Sequence, residues 1–144
     1  VARIPTHALV YHMMKNGQPN KLIFPVEGKG LWSTLYGFLA LEKDVQTVAG
    51  ITFYEHGETP GLGGEVDNPK WKALWPGRKA FDEAGQAKIE VLKGPAGSVA
   101  QAPYSIDGLS GATITGRGVT HLVRFWLGAN GFGPYLTKFR TGGV

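Results

Sequence analysis

The chain has 144 residues, of which 42% are hydrophobic and 18% charged, a balance typical of one folded domain and not of a disordered segment. It contains no cysteine, which excludes thiol catalysis, disulfides and cysteine-held iron–sulfur clusters within this chain. The formal net charge is +4, but acidic residues flank the basic ones, so we expect a solvated surface and no nucleic-acid partner.

Three further features of the sequence limit the kind of protein that the chain can be. No run of 18 or more apolar residues occurs, so no segment of the sequence is expected to span a membrane. The 22 glycines are about twice the usual share of roughly 7%, which predicts many backbone positions with positive φ or a close contact. Because the sequence begins at Val1 without methionine or a signal-like segment, we expect a fragment of a longer protein.

Four stretches in the first half of the chain have the apolar, β-branched and aromatic content of strands. They cover residues 7–13, 21–26, 36–41 and 45–54. The first two flank the turn signal Asn-Gly-Gln-Pro-Asn, which predicts a hairpin, and the sequence Gly-Lys-Gly at 28–30 ends the second. The third fits a helix or a strand by periodicity alone, but the turn at 42–44 favours antiparallel strands on both sides of it.

The second half predicts loops and helices. Residues 57–65, with four glycines and a proline, are expected to form an irregular loop that presents binding groups, and residues 88–93 alternate like a strand. The expected helices cover residues 69–74, 113–127 or 115–127, and 133–140. Asn68 is the expected N-cap of the first helix, and Gly128 the stop of the second. These elements predict an α+β fold, mostly antiparallel sheet with about three helices, in one domain of residues 1–144.

The stretch IDGLSGATITGRGVTHLVR, residues 106–124, is the clearest candidate site. Its small residues directly before the helix are Ser110, Gly111, Ala112 and Thr113. Small residues let a ligand approach the backbone, and a hydroxyl before a helix faces unpaired N–H groups and the positive end of the helix dipole, where a phosphate is easily held. The competing interpretation is a plain loop in which Thr113 or Thr115 caps the helix and nothing binds, and composition alone leaves both open.

Other site patterns have weak support. The segment 61–66 fails the dinucleotide fingerprint because Val66 stands where its third glycine should be, and no P-loop sequence occurs. The four histidines are scattered and lack the spacing of metal ligands. His56 and Glu58 are alternate residues and would share one face of a strand as an acid–base pair, although a solvated or core histidine is the more common outcome.

The order of residues in DGLSGAT, 107–113, followed by Ile114 and Thr115, resembles the flavinylation motif of a family of FMN-binding domains. That family includes the C subunit of the Na+-translocating NADH:quinone reductase and the G subunit of the Rnf complex. Two further segments follow in the family's order, GLWS with YGFLA at 30–40 and YEHGETPGLG at 54–63. The resemblance covers residues 26–139, and the wording of these segments favours the quinone reductase over the Rnf complex.

The resemblance implies a covalent flavin. FMN would be joined by a phosphoester to the side-chain oxygen of Thr113, and the domain would carry electrons in a membrane complex that oxidises NADH, reduces ubiquinone and exports Na+. Other subunits and a separate flavin transferase are the implied partners, and the implied location is the periplasmic side of a bacterial inner membrane, with a membrane anchor outside this sequence. An Rnf-type subunit is the alternative within this class. A module that binds a phosphorylated ligand reversibly at 110–115 is the alternative from another class.

The motif positions also suggest the residues of the flavin site. Around the Thr113 tether, the residues expected to shape the approach and to donate to the phosphate are Ser110, Gly111, Ala112 and Thr115. The residues expected to border the ring are Glu58, Thr59, Leu62 and Trp32, with Tyr36 beside them. For Thr59, Leu62 and the aromatic residues, the competing interpretation is a structural role in a turn or in the core. The resemblance gives Asp107 a role with the transferase rather than with the phosphate, and a bound metal is one way to fulfil that role.

Overall fold

The computed structural model describes residues 10–140, and its first half is a four-stranded antiparallel sheet in the order β1-β2-β3-β4. The strands are β1 Tyr11–Lys15, β2 Gln18–Lys29, β3 Thr34–Glu42 and β4 Val48–Glu55. Side chains alternate across the strands, so one face of the sheet is buried. Its buried residues on the two central strands include Leu22, Phe24, Val26, Leu35, Leu39 and Leu41.

The predicted strands are confirmed, with different ends. The part of the first stretch before residue 10 lies outside the described residues. Gly28 was expected to end the second strand, but β2 continues through it to Lys29. The reason is a close approach, since a Cβ at Gly28 would collide with the Leu122 side chain that packs over the sheet. Gly28 therefore leaves room for α2 to pack on the sheet, and it does not end the strand.

The second half contains short elements and two longer helices. They are a 3-10 turn Gly63–Asp67, α1 Pro69–Lys72, β5 Glu90–Val91, β6 Ser105–Ile106, α2 Thr113–Leu127 and α3 Gly133–Arg140. The three helices and the antiparallel sheet confirm the α+β prediction. Asn68 is the N-cap of α1, because its side chain accepts from the Lys70 N–H at 2.9 Å.

Three predictions for this half need correction. The first helix ends at Lys72, two residues early. The loop expected over 57–65 is irregular only as far as Leu62, because the 3-10 turn begins at Gly63. The strand expected over 88–93 is reduced to β5, which pairs in parallel with β6, a strand that the sequence pattern did not predict. A two-residue strand is too short to produce a readable alternation.

Helix α2 lies across β2 and positions the candidate site. Its buried face includes Val119, Leu122, Val123 and Trp126, the spacing of an amphipathic helix, and the Trp126 Nε1–H donates to the Glu27 carbonyl oxygen at 2.9 Å. Gly118 rests on the end of β2, where a Cβ would collide with the Lys29 carbonyl oxygen. This close crossing brings the first turn of α2 beside the loop that follows β2.

We expect Gly118→Ala to destabilise the domain. Helix propensity alone would favour alanine by roughly 0.5–1 kcal/mol, but the clash with the β2 backbone should cost about 2 kcal/mol or more. Urea denaturation of Gly118→Ala, wild type and Gly50→Ala measures the difference. Gly50 has open space around its Cβ position, so its variant should lose no stability. Equal midpoints for the two variants would show that the helix does not depend on this contact.

Candidate functional site

A buried carboxylate joins the three segments that the sequence singled out. Glu58 follows β4 and is only 5% exposed. Its Oε1 accepts from the Leu31 N–H at 2.8 Å and from the Thr115 hydroxyl at 2.7 Å. Its Oε2 accepts from the Trp32 N–H at 3.0 Å and from the Ser33 hydroxyl at 2.8 Å. The carboxylate therefore ties the loop after β2 and the first turn of α2 to the loop after β4.

Glycines make room for this carboxylate. A Cβ at Gly30 would collide with the Glu58 carboxylate, and a Cβ at Gly63 would lie 2.5 Å from the Thr115 hydroxyl oxygen. The loop is closed further by the Gly57 N–H, which donates to the Ser33 hydroxyl oxygen at 2.8 Å. Gly30 of the GLWS segment and Gly63 of the ETPGLG segment are thus explained by close packing around Glu58 and its partner Thr115, whereas Gly61 has open space around its Cβ position and a φ of 82° that favours glycine.

The Glu58 carboxyl is ionised in this site. Burial raises its pKa, but hydrogen bonds from the Thr115 hydroxyl, the Leu31 N–H, the Ser33 hydroxyl and the Trp32 N–H together lower the pKa below the ordinary value of a glutamate. All four groups donate, so the site accepts a carboxylate and not a protonated acid. Glu58 was expected to border the flavin ring, and the structure places it beneath the site as a support.

His56 does not form the acid–base pair considered from the sequence. Its Nδ1 accepts from the main-chain N–H of Glu58 at 3.1 Å, so the ring proton lies on Nε2. Nε2 then donates to the Asp67 carboxylate at 2.5 Å. Both ring nitrogens are occupied in holding the loop, which makes His56 a structural residue.

The first turn of α2 is not capped by a side chain. The helix begins at Thr113, and its N-cap is Ala112, which has no side-chain hydrogen bond to offer. Thr113 is exposed, and within residues 10–140 its hydroxyl has no hydrogen-bond partner. Neither Thr113 nor Thr115 is the cap of the competing interpretation. The N–H groups of the first turn thus remain available beside a free hydroxyl.

Two of the residues expected to contact the phosphate, Ala112 and Thr115, are buried. Thr115 is 1% exposed and its hydroxyl proton points to Glu58, so this hydroxyl cannot donate to a phosphate. Ala112 is buried and contributes no side-chain polar atom. Ser110 and Gly111 are exposed, and Gly111 has φ of 70°, a conformation that favours glycine. Of the predicted set, Ser110, Gly111 and Thr113 are accessible together.

Exposed apolar side chains lie on the loops and the helix turn that Glu58 joins. Trp32 is 70% exposed and Leu62 is 45% exposed, so neither belongs to the core. A Cβ at Gly111 would lie 3.1 Å from Leu62 Cδ2, which places Leu62 over the SGAT turn. Leu31 and Ile114 are also exposed, and the sequence interpretation missed them. Several apolar side chains left in water on adjoining segments are typical of a ligand site.

Each of the three remaining residues named from the sequence has a contact within the fold. Thr59 is exposed, and its carbonyl oxygen accepts from the Leu62 and Gly64 N–H groups, so the main chain of Thr59 forms a turn. Tyr36 packs against Tyr54, with ring centroids 6.4 Å apart. The Asp107 carboxylate accepts from the Ala96 N–H at 2.8 Å.

A cleft that the sequence interpretation did not find also reaches Thr113. It has a volume of about 370 Å³ and lies between α2 and β5. Besides Thr113, its walls include Lys93, Arg117 and Arg124. The sequence did carry a signal for this cleft, because Thr113 and Arg117 are four residues apart on a predicted helix and therefore lie on the same side of it. A group attached to Thr113 would have the exposed apolar residues and this basic cleft as neighbours.

No metal site appears in the described part of the chain, since residues 10–140 hold no group of three histidine, aspartate or glutamate side chains that could bind one. None of the helices within those residues combines the length and hydropathy needed to cross a bilayer.

The site combines a free hydroxyl at an uncapped helix N-terminus with exposed apolar side chains on the neighbouring loops, an arrangement suited to a phosphorylated, partly apolar ligand. The family model of the FMN-binding domain matches residues 30–128. The chain belongs to the family of FMN-binding domains, which confirms the resemblance found in the sequence.

Relatives and solved structures agree with this membership. The C subunit of the Na(+)-translocating NADH-quinone reductase of Pseudomonas aeruginosa is 52% identical over 143 residues, which cover 99% of this chain and 55% of that protein. The protein of the same name from Vibrio parahaemolyticus is 54% identical over 136 residues, 94% of this chain and 51% of its own. The crystal structure of Shewanella oneidensis NqrC superposes with a TM-score of 0.87 at 39% identity, covering 93% of this chain and 61% of that one. The chain thus spans about half the length of the curated relatives it matches.

We expect Glu58→Gln to destabilise the domain by about 2 kcal/mol or more near neutral pH, because an amide nitrogen would face buried donors. Urea denaturation measures this, with the exposed neighbour Glu55→Gln as the control that should change little. The lowered pKa of Glu58 gives a stabilisation that is complete above the ordinary pKa of a glutamate and is lost as pH falls through the lower folded value. The difference in free energy of unfolding between wild type and Glu58→Gln should therefore shrink below about pH 4. A difference that stays constant with pH would contradict the ionised carboxylate.

Proposed function

We propose that the domain carries FMN covalently, through a phosphoester to the hydroxyl oxygen of Thr113, and that it transfers electrons. The observation that supports this most is the Thr113 hydroxyl itself, exposed, without a partner in the described residues, and at the uncapped start of α2. Membership of the FMN-binding domain family supplies the identity of the ligand. When bound, the flavin supplies the electron-transfer chemistry, and the protein supplies its position.

Each part of the site has a task in this proposal. The N–H groups of the first turn of α2 and the positive end of its dipole stabilise the negative phosphodiester. Leu62, which lies over the SGAT turn, and the exposed Trp32 would cover part of the apolar ring, which removes their own surface from water. Thr59 would meet a polar edge of the ring. Glu58 and Thr115 hold these segments in register from below.

We further propose that the whole protein is the C subunit of a Na+-translocating NADH:quinone reductase. The names and the 52% and 54% identities of the relatives support this branch over an Rnf-type subunit. In this proposal the other subunits bind NADH and ubiquinone, a separate transferase attaches FMN, and the domain lies on the periplasmic side of a bacterial inner membrane, held by an anchor outside this sequence.

The proposal predicts that the domain gains the mass of FMN less one water when it is produced with an active flavin transferase. Thr113→Ala should lose both the mass gain and the visible flavin absorption, whereas the exposed neighbour Ser110→Ala should keep them. Denaturing intact-mass analysis of the three proteins measures this. If the wild type stays unmodified beside a control substrate that the transferase does modify, the covalent assignment is wrong. The reversible binding of a phosphorylated ligand would then be the function to test.

A second prediction concerns the ring. If Trp32 covers the flavin, Trp32→Ala should raise the flavin fluorescence severalfold, because stacking on an indole quenches it, while the mass gain on Thr113 stays unchanged. Tyr54→Ala is a matched control, since Tyr54 is also exposed, at 62%, but packs against Tyr36 and Phe38 on the sheet. Equal fluorescence in both variants would place the ring away from Trp32.

A further inference from the structure

The basic cleft is open to whatever is attached to Thr113. Thr113 and Arg117 line one of its walls, one helical turn apart on the same side of α2. The facing wall comes from β5 and the residues after it, and it includes Lys93. Two cations thus lie along the same cleft as the free hydroxyl.

The other charged residues of the cleft are already engaged. Arg124 donates from Nε to the Ile89 carbonyl oxygen at 3.0 Å and from Nη2 to the Lys88 carbonyl oxygen at 3.1 Å. Its Nη2 also lies 3.8 Å from the Glu90 carboxylate, so the charges of Arg124 and Glu90 offset each other. What remains is the positive charge of Lys93 and Arg117, with His121 exposed at the edge of the cleft.

Arg117 differs from the other arginines of the described chain. Arg78, Arg124 and Arg140 each donate to main-chain carbonyl oxygens and so have a structural use. Within residues 10–140, Arg117 has neither a hydrogen-bond nor an ion-pair partner, and it is exposed. Lys93 likewise has no partner in that part of the chain. Stabilisation of the fold therefore does not explain why Arg117 and Lys93 are found in the cleft.

We infer that Arg117, assisted by Lys93, binds the phosphodiester of the flavin attached to Thr113. The inference rests on the proposed function and adds to it a cofactor-binding side chain that the motif does not contain. A phosphodiester on Thr113 has two non-bridging oxygens and a single negative charge, and a guanidinium four residues further along the helix can donate to both. This pairing fixes the first atoms of the tether and so limits how the ring can swing.

The phosphate also needs these donors because Thr115 is not available. The hydroxyl of Thr115 is committed to Glu58, and Ala112 offers no side-chain donor. The main-chain N–H groups of the first turn approach the phosphate from the helix end. Arg117 approaches it from the cleft, so the two sets of donors do not compete.

The test uses the flavinylated domain and its unmodified form, and follows the arginine Nε–H signals by NMR. Attachment of FMN should slow solvent exchange of the Arg117 Nε–H by about threefold to tenfold, the effect of one charge-assisted hydrogen bond at an exposed site. The Arg124 Nε–H, which already donates to Ile89, should not change and serves as an internal control.

The phosphorus signal gives the matching observation. The ³¹P resonance of the diester should move in Arg117→Gln, return towards wild type in Arg117→Lys, and stay in place in Lys43→Gln, an exposed lysine in the turn after β3. Both variants at 117 should fold, because the side chain is exposed and unpartnered in the described chain. An unchanged Arg117 Nε–H exchange rate together with an unchanged ³¹P resonance in Arg117→Gln would overturn the inference. A missing mass gain in the wild type would instead overturn the tether on which it rests.

Discussion

The rest of the site depends on the buried carboxylate of Glu58. Four donors from two other segments converge on it, and each of the three segments carries a residue of the proposed flavin site: Trp32 on the loop after β2, Leu62 on the loop after β4, and Thr113 on α2. An ionised group that is 5% exposed is stable only while all its partners stay in place. The carboxylate therefore constrains the relative position of three segments without any bound ligand.

The surface near these segments presents two kinds of exposed side chain, apolar and positively charged. Leu31, Trp32, Leu62 and Ile114 leave apolar area in water, and Lys93 with Arg117 leaves positive charge without a protein partner in the described chain. A ligand with an apolar ring at one end and a phosphate at the other satisfies both. A simple phosphate would use only the basic side, and this difference favours the flavin over an arbitrary phosphorylated ligand.

The sequence was sufficient for the parts of the fold that repeat or that follow a motif. Stretches of apolar, β-branched and aromatic residues and the turns between them located the four strands, and helical spacing located α2, because these signals are local. The motif also singled out Thr113. The role of Thr115 in holding Glu58 could not be predicted from the sequence, because it depends on a hydrogen bond to a residue 57 positions away. For the same reason His56 looked like an acid–base partner of Glu58 until the contact of its ring with Asp67 was known. Strand β6 is too short to leave a pattern, and its parallel pairing with β5 joins residues that lie 15 positions apart, Glu90 and Ser105.

The position of the phosphoester is the central claim, and fragment-ion mass spectrometry of the flavinylated domain tests it most directly. Trypsin releases residues 94–117 as one peptide, which contains the hydroxyls of Ser98, Tyr104, Ser105, Ser110, Thr113 and Thr115. We expect the fragment ions to place the whole FMN mass on Thr113. Modification at Ser110 or at the buried Thr115, or a flavin that leaves the peptide on denaturation, would contradict this assignment.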